Sequence, residues 1–110
     1  MKLPNAASAY VPRSKLSEYL LSETHVVGKS KARFFRRFGF NEKNLGLLER
    51  GLISIALDNE LAEQTSTPHG NKYTIDGVLE TPTGRTITIR TVWIIEEGED
   101  NPRFVTAHPA

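Results

Sequence analysis

The chain has 110 residues, 38% of them apolar and 25% charged, with a net charge of +1 and no cysteine. That is room for one domain with one modest core, residues 1–110, and too little for two. It excludes disulfides and thiolate metal sites, it contains no apolar run of about 18 residues to span a membrane, and its near-neutral balance does not advertise a nucleic-acid partner.

The opening Met1-Lys-Leu-Pro-Asn5 lacks the apolar core of a signal peptide, so the expected setting is the cytoplasm, with no membrane partner. Ala9-Tyr10-Val11 reads as a short edge strand left at Pro12. Ser14 is a good N-cap, and Leu16, Tyr19 and Leu20 follow at helical spacing, predicting a short helix over roughly 15–22. A loop over 23–29 leads to a second helix, capped by Ser30 and stopped by Gly39, with Phe34, Phe35 and Phe38 as its apolar stripe. Asn41 caps a third helix running to about Leu57, whose apolar face is Leu45, Leu48, Leu52, Ile55 and Ala56. Gly46 and Gly51 each weaken that helix by about 1 kcal/mol against alanine, and Gly51 suits a close approach to a sheet. The polar stretch 60–70 is turn-rich and leads into the sheet.

From Lys72 to Pro109 the pattern alternates as half-buried strands do. Tyr73, Ile75, Gly77 and Leu79 share one face of the first run; Ile87, Ile89, Thr91, Trp93 and Ile95 share one face of the second. Both sets are odd-numbered, so a hairpin that keeps them on one side needs a loop of odd length, three or five residues, with Gly84 in the left-handed position. One such register sets Tyr73 against Trp93 in the core and Asp76 against Arg90 on the other face, which also holds Thr74, Thr88 and Val92. Helices first (about 13–57) and strands after (about 72–108) argue for an α+β domain, with helices packed on one face of a twisted, mainly antiparallel sheet of about four strands.

Three groups of residues are candidates for chemistry. Lys29, Lys31, Arg33, Arg36 and Arg37 fall within nine residues of the second helix. Residues three or four apart on a helix can approach a phosphate backbone together, and Lys29, Arg33, Arg36 and Arg37 fit that description, although a solvated face carries the same pattern. Histidine is the default acid or base near neutral pH, and His25 and His108 are the candidates, with His69 in a polar turn left aside. No histidine pair has the spacing of a zinc site, and neither a metal nor another cofactor is expected. Arg90 either closes a cross-strand ion pair with Asp76 or holds a phosphate with its forked donors.

His25-Val-Val-Gly-Lys-Ser-Lys-Ala-Arg-Phe-Phe35, Phe38-Gly-Phe40, Tyr73-Thr-Ile-Asp-Gly77, Gly84-Arg85, Val92-Trp93 and Pro102-Arg-Phe-Val-Thr-Ala-His-Pro109 together resemble an uncharacterised family of small bacterial domains. Helices followed by an antiparallel sheet, with a last strand ending Thr-Ala-x-Pro, are also similar to the barnase–EndoU–colicin–RelE superfamily of ribonuclease toxins. In EndoU-like toxins that ending is Thr-Ala-Tyr-Pro, and its Thr and Tyr join a His and a Lys from earlier segments in the active site. The resemblance carries the threonine onto Thr106 and the upstream pair onto His25 and Lys31; His108 stands where the tyrosine would be. It implies metal-free transesterification of RNA, with Lys31 or Arg90 stabilising the charged phosphorane-like state and a cognate antitoxin or immunity protein as partner. The competing expectation is a non-enzymatic module that binds another protein through the open sheet face or an edge strand.

Overall fold

The computed structural model describes residues 1–22, 24 and 29–110. A 3-10 turn, Ala6–Ser8, precedes a helical turn, Arg13–Lys15, that continues as a π-turn, Leu16–Leu20; together they make α1 (13–20). Then come α2 (Lys29–Arg37), α3 (Leu45–Asp58), β1 (Glu63–Thr67), β2 (Gly70–Glu80), β3 (Thr86–Glu96) and β4 (Arg103–Pro109). Among the described residues the sheet has four antiparallel strands in the order β1-β2-β3-β4, so the fold is α+β.

The helix boundaries differ from expectation in instructive ways. Pro12, not Ser14, occupies the N-cap of α1: its carbonyl accepts the Lys15 N–H at 2.9 Å. Ser30 lies inside α2 rather than at its cap. Gly39 does end α2: at φ 98° it lets Phe40 N–H reach Phe35 O (3.2 Å) and donates its own N–H to Arg36 O (3.0 Å). Asn41 does not start α3. Asn41 Oδ1 accepts from Lys43 N–H and Asn44 Oδ1 from Asn41 N–H, both at 2.8 Å, and Asn44 Nδ2 holds Gly39 O at 2.9 Å. Those side chains offer the backbone a turn in place of a helix, and α3 begins only at Leu45.

The central hairpin has the expected register. Tyr73 faces Trp93 and Asp76 faces Arg90. Pairing runs to Thr81, whose N–H donates to Arg85 O at 3.0 Å, which leaves a three-residue loop with Gly84 at φ 85°. Tyr73, Ile75, Leu79, Ile89, Thr91 and Trp93 are buried beneath the helices, where Leu48, Leu52, Ile55 and Ala56 of α3 and Phe35 of α2 meet them. Each large apolar side chain of that set stabilises the fold by about 1.5–3 kcal/mol. Gly51 lets α3 come this close: a Cβ there would stand 2.3 Å from Leu79 Cδ1, and one at Gly77 would stand 2.8 Å from Ile55 Cγ2.

β1 lies in the polar stretch expected to be loop. Its Glu-Gln-Thr-Ser-Thr sequence is almost wholly exposed, so no apolar alternation marks it, and its pairing with 70–74 alone makes it a strand. The expected N-terminal edge strand is reduced to one parallel bridge, Tyr10 to Arg103.

Candidate functional site

α3 packs on β2, while β4, at the edge of the sheet, meets α1 and α2. β4 pairs with β3 so that Arg90 faces His108, Thr91 faces Ala107 and Val92 faces Thr106; a bulge follows, and Trp93 then faces Phe104. Directly paired residues lie on the same side of a sheet. Thr91, Trp93, Phe104 and Ala107 therefore point into the core, where all four are fully buried. Asp76, Arg90, Val92, Thr106 and His108 point to the opposite, open face, where each is partly exposed. The bulge at Val105 makes both assignments possible, because it adds the one residue that puts Phe104 and Thr106 on opposite faces.

Tyr19 and Lys31 meet Thr106 at this edge. Lys31 Nζ donates to Tyr19 Oη at 2.6 Å and to Thr106 Oγ1 at 2.8 Å, and the two hydroxyls share a hydrogen bond of 3.1 Å. The three heads thus form a closed triangle drawn from α1, α2 and β4. Tyr19 sits in the π-turn, where Leu21 N–H reaches back to Leu16 O at 2.9 Å. Such turns are frequent at functional sites because they re-aim one side chain. The Lys15 and Lys31 ammonium groups both lie 5.0 Å from the centre of the Tyr19 ring.

This setting changes the phenol. Partial burial by itself would push it up; the hydrogen bonds from Lys31 and Thr106 and the charges of Lys31 and Lys15 outweigh burial, and Tyr19 sits below its ordinary value of 10.0. Ionised, Tyr19 would accept a hydrogen from both Lys31 and Thr106. The triangle is therefore built to take up the charge of a tyrosine that has lost its proton.

Along the same face, Arg90 forks onto Asp76, Nε to Oδ1 at 2.7 Å and Nη2 to Oδ2 at 2.9 Å. That bond, with the arginine charge, holds the Asp76 carboxyl below the usual carboxylate range; burial opposes it and His108 assists it. Both side chains remain more than a third exposed, 38% for Arg90 and 36% for Asp76, so the cross-strand pair does form and it lies open to solvent.

The candidates named from sequence are thus distributed unevenly. Lys31 and Thr106 are in direct contact, 75 residues apart in the chain. His108 and Arg90 are cross-strand partners on the face that carries Thr106. His25 lies outside the described residues. Lys29, Arg33 and Arg37 are exposed on α2, free to face a polyanion. Arg36 is drawn inward: Nε and Nη2 hold Leu21 O at 3.0 and 2.6 Å, and its guanidinium pairs with Glu42, so it ties α2 to the end of α1. In the sequence Tyr19 is marked only as an apolar helical position, beside Leu16 and Leu20. Lys15, four residues earlier on the same helix, was the available signal.

The chain belongs to the family described as a domain of unknown function, DUF6883, whose model matches residues 2–110. No curated protein matches the sequence. Among solved structures, a chain of the contact-dependent growth inhibition toxin–immunity protein complex from Klebsiella pneumoniae 342 has a TM-score of 0.73 at 14% identity, over 94% of this chain and 95% of that one. At that identity the likeness is one of fold. No described helix is long and apolar enough to cross a membrane.

Proposed function

We propose that this domain is a small, toxin-like endoribonuclease that cleaves RNA by attack of the 2′-hydroxyl on the adjacent phosphorus, with no metal taking part. The observation that carries the reading is the Tyr19–Lys31–Thr106 triangle. It brings together two of the residues that the EndoU-like resemblance singles out, Lys31 and Thr106, and adds a tyrosine whose proton is made easier to lose.

Tyr19 is the acid: it gives its proton to the departing 5′-oxygen, and Lys31 and Thr106 hold the phenolate that remains. Lys31, a cation beside the same point, stabilises charge on the phosphorane-like state. His108 is the base for the 2′-hydroxyl. It lies two residues from Thr106 on the same strand face, about 7 Å away at strand rise, which leaves space for a phosphate between acid and base. Arg90 stands beside His108 and offers the phosphate an additional cation, while Asp76 fixes its orientation. Lys29, Arg33 and Arg37 meet neighbouring phosphates of the strand.

A toxin of this kind requires an inhibitor in the cell that makes it. The fold shared with a chain of a toxin–immunity protein complex supports a cognate partner for this domain too. The experiment is cleavage of total cellular RNA by purified protein in EDTA, beside a Thr106→Ala/His108→Ala double variant. Cleavage by the parent alone is expected. A folded parent that leaves RNA intact at high concentration would turn the assignment to a non-catalytic interaction module.

A further inference from the structure

β1 is shorter than the strand it pairs with. Its last partner is Thr74, whose carbonyl takes the Ala62 N–H at 2.7 Å; there the chain turns away, and Leu61 N–H goes to Met1 O. β2 continues for six more residues to Glu80. In an antiparallel ladder, successive residues turn their N–H and C=O alternately to the two neighbouring strands. Thr74 points toward β1, so Asp76, Val78 and Glu80 point the same way, and odd residues such as Thr81 point to the β3 side, as the Thr81 N–H to Arg85 O bond requires. Among the described residues no main-chain or side-chain group bonds the N–H or C=O of Asp76, Val78 or Glu80.

The Val78 and Glu80 end of this edge lines a groove of about 590 Å³. One wall is α3, with Leu47, Arg50, Gly51 and Ser54; on the other side stand Val78 and Glu80. Val78 is 61% exposed and Leu47 47%, which makes them two of the most exposed large apolar side chains in the molecule. Six open backbone groups beside a partly apolar trough match one kind of ligand, an extended chain.

We propose that this groove takes up an extended segment of a different protein, which pairs antiparallel with residues 76–80 of β2 and continues the line of β1. The segment has an apolar residue opposite Val78 and a lysine or arginine opposite Glu80, with small or apolar residues turned toward Leu47 and Gly51. A second copy of the domain is the wrong occupant. A two-fold pairing that uses all three open positions is centred on Val78 and sets Asp76 of one copy opposite Glu80 of the other. Asp76 is already held by Arg90, so that pairing leaves both Glu80 carboxylates without a cation, whereas the basic segment supplies one. The site is separate from the Tyr19–Lys31–Thr106 triangle, which lies at β4, the far edge of the sheet. The two readings share only Asp76, by its main chain here and by its side chain toward Arg90 there, so binding at the groove is tested apart from RNA cleavage.

The test is selection of short displayed peptides on the full chain, with counter-selection on Val78→Pro. Proline removes the central N–H, and because that N–H has no partner in the domain the strand tolerates it at an edge. Selected peptides should alternate, carry a basic residue beside an apolar one, lose at least about tenfold in affinity on Val78→Pro, and slow amide exchange at Asp76, Val78 and Glu80. N-methylation of the peptide at alternate residues should abolish binding to the unaltered protein, a readout that holds even if Val78→Pro fails to fold. Peptides that bind without slowing those three amides, failure to select any binder, or concentration-dependent dimers abolished by Val78→Lys would each overturn the proposal.

Discussion

Thr91 is a polar residue in the middle of the core, and its removal gives the sharpest quantitative test of the packing. Its Oγ1 accepts the Trp93 indole N–H at 2.8 Å and donates to Ile75 O at 2.8 Å, and both residues are fully buried. The substitution Thr91→Val keeps the shape and deletes both bonds. The lost bond to Ile75 O is worth about 1 kcal/mol, and the indole N–H, left buried without an acceptor, costs about 1–3 kcal/mol. The added methyl contributes about 0.8 kcal/mol in the other direction. The net expectation is a loss of about 1–3 kcal/mol. Trp93→Phe loses packing against Phe104, a ring pair now 5.4 Å apart and nearly perpendicular, but it also removes the donor that Thr91→Val orphans. The double variant should therefore be more stable than the two single losses predict, by about 1–2 kcal/mol. Urea titrations of the four proteins read the cycle directly. Additive losses, or a Thr91→Val loss below about 0.5 kcal/mol, would refute the view that the hydroxyl is in place to satisfy the indole.

Other expectations follow from the same geometry. Lys31→Met should raise the Tyr19 phenol toward its ordinary value, visible as a shift of the alkaline absorbance titration; an unmoved titration would contradict the contact. Arg90→Met should raise the Asp76 carboxyl, followed by NMR titration. Because Asp76 is depressed in the folded state, the pair stabilises the fold above the ordinary carboxylate value of 3.8 and loses that contribution as pH falls through the lowered one, so the parent should lose more stability on acidification than Arg90→Met does. Gly51→Val should cost about 2 kcal/mol or more in thermal or urea unfolding, since the added group meets Leu79; full stability would mean that α3 lies farther from the sheet than described. Tyr19→Phe should keep the fold, because Lys31 retains Thr106, and should lower RNA cleavage by about 10²–10⁴-fold.

Much of this arrangement was legible in the chain because β-strand parity is strict. Two odd-numbered apolar runs and Gly84 restrict the hairpin to loops of odd length, and the register with Tyr73 against Trp93 is one of those that parity allows. The contact of Lys31 with Thr106 was legible only through resemblance, since nothing local to residue 31 reports what lies 75 residues away. Tyr19 was hidden because its ring belongs to the apolar spacing of α1 while its hydroxyl belongs to the site. β1 was hidden because an exposed polar strand buries nothing and so leaves no period. The α2–α3 boundary was hidden because Asn44 Oδ1 takes the Asn41 N–H and Asn41 Oδ1 the Lys43 N–H, and an asparagine suited to a cap is equally suited to a turn.

The most direct measurement of the central claim uses a defined RNA oligonucleotide and its 2′-deoxy counterpart, each incubated in EDTA with the parent protein, Lys31→Met and Thr106→Val. The parent is expected to cut the RNA to 2′,3′-cyclic phosphate ends and leave the deoxy strand intact, and both variants, though folded, to cut neither. Cleavage of the deoxy strand, undiminished cleavage by the variants, or an inert folded parent would contradict the claim.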